Sequence, residues 1–219
     1  MANRPALCAL VPLLASAPSW AQFSDIDPGN KHSWGENIGW MNWRDAGSPP
    51  ASQGVRIHGT FLSGSIWCEN VGYIRVGDAT PANGVSYANV NGTDYGVNLD
   101  PGTGTLSGLG WGENIGWVNF AGGLAATPAR PARISPSTGH FSGFAWAPNV
   151  GWISLGNADF HVGRVCTADY NGDTSVDDFD FFDFLNDFFF NRPAADFNGD
   201  TSIDDFDYFD FLNAFFGGC

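Results

Sequence analysis

Between residues 54 and 155 apolar residues recur at every second position in short runs. Gly-Trp-Val-Asn-Phe at 116–120 and Gly-Trp-Ile-Ser-Leu at 151–155 alternate in this way. So do the segments beginning Gly-Val at 54 and 96 and the Ala-Arg-Ile run at 132. A two-residue period turns one face of a strand inward and the other outward, so these runs predict half-buried β-strands. Beyond residue 178 the period lengthens. Phe181, Phe184, Leu185, Phe188 and Phe189 fall on overlapping helical faces, matched by Tyr208, Phe211, Leu212, Phe215 and Phe216. The pattern predicts a mainly β protein that ends in a small α-helical domain.

The strand pattern is repeated. Related segments begin at Trp34 (WGENIGWMNW), Trp67 (WCENVGYIRV), Trp111 (WGENIGWVNF) and Trp146 (WAPNVGWISL), at spacings of 33, 44 and 35 residues. The longer spacing places an insertion of about ten residues within 77–94. Three copies are preceded by a Ser-Gly segment (GTFLSGSIW, GTLSGLGW, GHFSGFAW) and, before that, by a short alternating run. Each unit therefore reads as three short strands, and residues 22–164 as an all-β repeat domain of three full units and one partial leading unit. Asn37/Gly39, Asn70/Gly72, Asn114/Gly116 and Asn149/Gly151 are turn residues, since both types tolerate left-handed backbone angles. The units are short for propeller blades, and a sandwich, a prism-like arrangement or a stacked solenoid fits the pattern at least as well.

Composition divides the chain further. The net charge is −14, with ten acids and seven bases in residues 22–165 but thirteen acids and one base, Arg192, in 166–219. Such a balance argues against nucleic-acid binding and against docking on anionic lipid. Residues 1–21 carry Arg4, an apolar run and Ser19-Trp20-Ala21, the pattern of a cleaved export signal, and no other stretch is apolar enough to span a bilayer. Export makes the protein secreted, extracellular or associated with the cell surface. In that compartment Cys166 and Cys219, which bracket the acidic tail, are expected to form a disulfide; the alternative is two free thiols. Cys68 is then left as a small buried hydrophobe.

The β repeats carry no recognisable reaction chemistry. Gly-x-Ser-x-Gly, His-Glu-x-x-His, phosphate-loop and Cys-x-x-Cys patterns are missing, and His32, His58, His140 and His161 lack ligand spacing. Asn91-Gly92-Thr93 matches a glycosylation acceptor. Glu36, Glu69 and Glu113 share one place in three units, which points to turn capping rather than to an asymmetric catalytic pair. The paired aromatics Trp34/Trp40, Trp67/Tyr73, Trp111/Trp117 and Trp146/Trp152 are expected as pillars of the core, the commoner use of such large rings, with sugar-stacking platforms as the alternative.

The tail repeats a different motif. Counting from Asp169, oxygen-bearing side chains fall at positions one, three, five, nine and twelve: Asp169, Asn171, Asp173, Asp177 and Asp180, with Ser175 at seven. The second copy, 27 residues on, has Asp196, Asn198, Asp200, Asp204 and Asp207, with Ser202 at seven. Hard oxygen donors at this spacing are what Ca²⁺ requires, so two Ca²⁺ sites are expected. Each loop runs directly into a helical pattern with no helix before the first loop. This loop–helix duplication over residues 165–219 resembles a dockerin, the calcium-dependent, EF-hand-like module that plugs into cohesin domains. The closing Gly-Gly-Cys and the phenylalanine-rich helices are most similar to dockerin-like tails ending in Gly-Cys on planctomycete secreted proteins. The WGENIGW units resemble uncharacterised secreted bacterial proteins, a resemblance that implies no activity.

The resemblance implies a cohesin-like or other envelope protein as partner, met by loop positions ten and eleven: Asp178, Phe179, Asp205 and Phe206. Two departures stand out. Thr174 and Thr201 occupy position six, where dockerins carry glycine, and the Asp-Phe pairs differ from those of cellulosomal dockerins. About fifty residues cannot bury so many phenylalanines, so an apolar patch is expected to remain for a partner. The expected function is non-catalytic: a secreted β-repeat domain tethered by a calcium-dependent anchoring module. The alternatives are a protein that binds or degrades polysaccharide through its tryptophans, and a structural fibre subunit that self-associates through the β domain.

Overall fold

The structure, a computed structural model, describes residues 24–171, 173, 175–198 and 202–217. The expected export signal therefore lies outside the described residues. The chain is mainly β. Twelve strands run β1 (Ile26–Gly35), β2 (Gly39–Asn42), β3 (Arg56–Ile57), β4 (Leu62–Cys68), β5 (Gly72–Gly77), β6 (Val97–Leu99), β7 (Leu106–Gly112), β8 (Gly116–Asn119), β9 (Arg133–Ile134), β10 (Phe141–Ala147), β11 (Gly151–Gly156) and β12 (Val162–Arg164). Two helices follow, α1 (Asp178–Phe189) and α2 (Asp205–Gly217).

Eight strands close an antiparallel barrel in the order β1-β2-β4-β5-β7-β8-β10-β11, with β11 returning to β1 through Trp34↔Ser154 and Gly35↔Ile153. The remaining four strands are short additions: β3, β6 and β9 pair with β4, β7 and β10, and β12 pairs with β1. A closed barrel replaces the expected sandwich, prism or solenoid. Closure leaves the main sheet no open edge, and each hairpin joins its neighbour through one or two paired positions, as in Trp146↔Asn119 and Met41↔Cys68. The expected insertion falls between β5 and β6, where Tyr87 turns inward against Phe61 at 5.4 Å.

An eight-stranded barrel is just wide enough for side chains to fill it. Met41, Ile66, Ile74, Val118, Ile153 and Ala145 do so, and Trp43 lies beneath them against Phe141 at 5.2 Å and Phe120 at 6.1 Å. Trp43 satisfies its indole N–H on the buried Ser33 hydroxyl at 2.7 Å. Two of the Ser-Gly segments shift the strand register, between Gly64 and Ser65 and between Gly143 and Phe144. Gly64, Gly108 and Gly143 have φ of 89°, 88° and 80°, and a Cβ on any of them would strike the carbonyl of Gly54, Gly96 or Pro131.

The helical region has its own small cluster. Phe184 and Phe211 stack face to face at 4.1 Å and 7°, with Ala195 also buried and Tyr170, Phe181, Phe188, Phe197, Tyr208 and Phe215 packed around them. Each loop contributes the ring after its first aspartate: Tyr170 stands edge-on to Phe184, and Phe197 edge-on to Phe211, both at 5.5 Å. Of the rings on the overlapping faces, Phe188 and Phe215 pack across the helix pair, against Tyr208 and Phe181 at 5.9 Å, while their neighbours Phe189 and Phe216 are exposed. Cys68 is a buried free thiol, as expected. Cys166 is disulfide-bonded, and Cys219, its expected partner, lies outside the described residues.

Candidate functional site

Three features of the surface carry chemistry: the aspartate loops, the phenylalanine faces of the helices, and one rim of the barrel.

In the first loop the side-chain oxygens of Asp169 and Asn171 both accept from the Asp173 amide, at 3.0 and 2.9 Å, so they converge on one point. Asp173 in turn accepts from the Ser175 amide at 2.9 Å. Asp177 caps α1 and forms a reciprocal capping box with Asp180, whose second oxygen takes the Asp177 amide at 2.9 Å. The first oxygen of Asp180 takes the Asn171 amide at 3.0 Å, tying the loop's start to its helix. The second loop repeats this: Asp207 accepts from Asp204 at 2.9 Å, Asn198 at 3.1 Å and Phe197 at 2.7 Å.

Asp180 and Asp207 are completely buried. Burial alone pushes a carboxyl pKa up and is the largest single influence on each. The backbone N–H donors together outweigh it and hold both below the ordinary carboxylate value. Their role in this geometry is to staple loop to helix. No set of three or more His, Cys, Asp or Glu side chains among the described residues is arranged to hold a metal. The fit to calcium therefore rests on donor chemistry: hard oxygens only, with Asp169 and Asn171 already convergent. Asp200 lies outside the described residues, as do Thr174 and Thr201, the departures at position six. Ser175 and Ser202 are exposed, as are Asp178 and Asp205.

Phe179 and Phe206, at loop position eleven, are 69% and 70% exposed. Phe182, Phe189, Phe209 and Phe216 are exposed as well. The three exposed rings on α1 recur at the same 27-residue offset on α2. The expected apolar patch is thus present, on both helices.

At the barrel rim the four long hairpins turn through Glu-Asn-Ile/Val-Gly or Pro-Asn-Val-Gly. Gly39, Gly72, Gly116 and Gly151 take φ between 77° and 85°, as the turn chemistry requires. Each asparagine donates its side-chain amide to a neighbouring turn. Asn37 bonds the Val150 carbonyl at 2.7 Å, Asn70 that of Ile38 at 2.9 Å, Asn114 that of Val71 at 3.0 Å and Asn149 that of Ile115 at 3.1 Å. The ring of four bonds closes. Asparagine, not glutamate, holds these turns. Glu113 accepts from the Trp111 indole at 3.2 Å instead, so the capping expected of Glu36, Glu69 and Glu113 is corrected.

The paired aromatics are not core pillars. Trp34, Trp40, Trp67, Tyr73, Trp117 and Trp146 are exposed, and Trp111 and Trp152 half-buried, on the outer face. Strand alternation decides this: the inward neighbours of these rings, among them Ser33, Met41, Ile66, Cys68, Ile74, Val118, Ala145 and Ile153, already fill the interior, which has no space for seven indoles and a phenol. Cross-strand partners meet edge to face, Trp34–Trp40 at 4.9 Å and Trp111–Trp117 at 4.7 Å.

Among the histidines, His140 and His161, 21 positions apart, bring their ring centroids to 3.9 Å at a tilt of 31°. No helix among the described residues is long and apolar enough to cross a membrane. No family model, no curated protein and no solved structure matches the chain.

Proposed function

We propose that the chain is a secreted, non-catalytic, surface-associated protein whose repeat-built barrel (residues 22–164) is tethered by an EF-hand-like, dockerin-like calcium module (165–219). The observation that carries this reading is the duplicated exposure of phenylalanine. Phe179/Phe206, Phe182/Phe209 and Phe189/Phe216 form two matching apolar faces on a pair of helices too small to hide them. Matching faces suit a protein partner such as a cohesin-like envelope domain, which could dock on either helix. Calcium supplies the charge that offsets the crowded carboxylates; Asp169, Asn171, Asp173 and their second-loop counterparts would hold it.

The repeat reading is supported by the strand pairing. β3, β6 and β9 add a third strand to their hairpins, and β12 does the same for the first hairpin from the far end of the chain. The partial leading unit is thereby completed.

The test uses the whole protein. Helical ellipticity and amide protection over 169–217 should rise with Ca²⁺ at two sites per chain and fall in chelator. Retention on isolated cell envelope should need Ca²⁺ and should be lost in Phe179→Ser/Phe206→Ser. Equal helicity in calcium and in chelator would sink the reading.

A further inference from the structure

Two hairpins of the barrel hold a tryptophan edge to face against a loop ring, Trp117 against Tyr95 at 5.0 Å and Trp40 against Phe160 at 5.1 Å, and the second of these borders a groove. Beside Trp34, Trp40 and Trp67 a groove of about 750 Å³ opens, within the ~300–1,000 Å³ typical of small-molecule sites. Its far wall is Phe160, on the loop between β11 and β12. That loop is held by its own hydrogen bonds: the Asn157 side chain accepts from the amides of Asp159 and Phe160 at 2.8 and 3.1 Å, and Asn157 N–H donates to the Phe160 carbonyl at 2.7 Å.

Trp40 is clamped edge to face between Trp34 at 4.9 Å and Phe160 at 5.1 Å, yet stays 52% exposed. A ring fixed in orientation and still open to water is a platform for an apolar ligand face. The polar wall is equally specific. Glu69 and Asp159 line the groove with carboxylates that accept no hydrogen bond among the described residues. Trp34, Trp40 and Trp67 present indole N–H groups without partners there, whereas the Trp111 indole is satisfied by Glu113.

Charge narrows the ligand. Lys31 is neutralised by Asp45 at 2.6 Å. Burial, helped by Lys31, lowers the His32 pKa, so that ring is neutral near pH 7. The groove therefore carries net negative charge from Glu69 and Asp159, which disfavours polyanions. We propose that this groove binds a short, neutral oligosaccharide, stacking a sugar face on Trp40 and bonding its hydroxyls to Glu69, Asp159 and the free indole N–H groups. Sugar hydroxyls both donate and accept, as this mixed wall demands, and the C–H face of a pyranose matches an exposed indole. The site is independent of the tail, so it stands or falls separately from calcium-dependent anchoring.

The test is affinity electrophoresis and titration calorimetry of the full chain in Ca²⁺ against soluble β-glucan, arabinoxylan, galactomannan and chitin oligosaccharides. Alginate and an aromatic-rich peptide serve as comparators. At least one neutral glycan should bind. Trp40→Ala should weaken it on the order of tenfold, the loss of one stacked ring, and Phe160→Ala by less. Trp117→Ala, on the diametrically opposite hairpin, should leave affinity within about twofold, since distant sites act independently. An unchanged barrel melting temperature in each variant separates lost binding from lost fold. The proposal is overturned if no neutral glycan binds, if alginate or the peptide binds more tightly, or if Trp117→Ala costs as much as Trp40→Ala.

Discussion

The barrel and the helical pair solve burial in opposite ways. Among the described residues the barrel buries 24 hydrophobic side chains in one contiguous cluster, while the helical pair fully buries only Phe184, Ala195 and Phe211. In the barrel, polar groups have register to keep: the four asparagines lock turn to turn, and the core supplies the stability. In the helical pair, polar groups stand in for a core. Asp180 and Asp207 are buried so that each can gather backbone N–H groups from its loop. A region with so few buried rings leaves its remaining aromatics at the surface, where a partner can use them.

The largest expected effect removes the centre of the smaller core. Phe211 stacks on Phe184 and meets Phe197 edge-on, so Phe211→Ala should cost about 3–5 kcal/mol. That is comparable to the whole stability of a small domain. The tryptophans among the described residues all lie between Trp34 and Trp152, so their emission reports the barrel alone. Ellipticity at 222 nm reports the helices. The variant should lose the second signal and keep the first, and a shared transition would show that the two regions are one cooperative unit.

The two regions were also unequally legible in the sequence. Strand positions followed from the two-residue period and the Asn/Gly turns, but barrel closure depends on Trp34↔Ser154, a pairing 120 positions apart that no local pattern encodes. Ring size favours a buried place for the tryptophans, whereas strand alternation turns them outward. The alternating residues beside them, Met41, Ile66, Ile74, Val118 and Ile153 together with small Gly, Ser, Ala and Cys, were the available signal that the inner face is already filled. Phe160 lies in a loop after the last strand pattern, and no local signal links it to Trp40, 120 positions away. In the tail the spacing located Asp180 and Asp207, but their burial as loop staples depends on where Asn171 and Asn198 return.

A smaller effect tests how the barrel rim is packed. A Cβ on Gly35 would lie 2.4 Å from Ile38 Cγ1, and one on Gly112 would lie 2.7 Å from Ile115 Cγ1. The two hairpins without glycine there, at Cys68 and Ala147, carry the shorter Val71 and Val150. Gly35→Ala should therefore destabilise the barrel by about 1–3 kcal/mol through overpacking. Adding Ile38→Val, which recreates the Ala147/Val150 pair and removes the Ile38 Cδ1 contact at 3.1 Å, should recover part of the loss. Thermal melts followed by tryptophan emission give both values, and the helical signal should be indifferent to either change. If Ile38→Val fails to rescue, the glycine serves backbone geometry and not the room for isoleucine.

The mildest test is pH, because it separates the regions without a mutation. His32, His58 and His161 all lie in the barrel, and burial lowers each pKa below the usual value of about 6.5. A lowered histidine pKa means the unfolded chain binds the proton more readily, so the barrel should lose stability as pH falls below about 6.5. The tail has no histidine. Its buried Asp180 and Asp207 have lowered pKa values, so their contribution is complete above about 4 and is lost only as pH falls through the folded value. Asp45 and Asp78 of the barrel, also lowered, respond in that same acid range, so only the interval between about 6.5 and 4 discriminates. Within it, in saturating calcium, the barrel's melting temperature should drift down by a few degrees while the helical transition stays fixed. A helical transition that moves in step with the barrel would mean that the barrel's histidines are read by the tail, and the contrast between a self-sufficient core and a locally stapled one would have to be withdrawn.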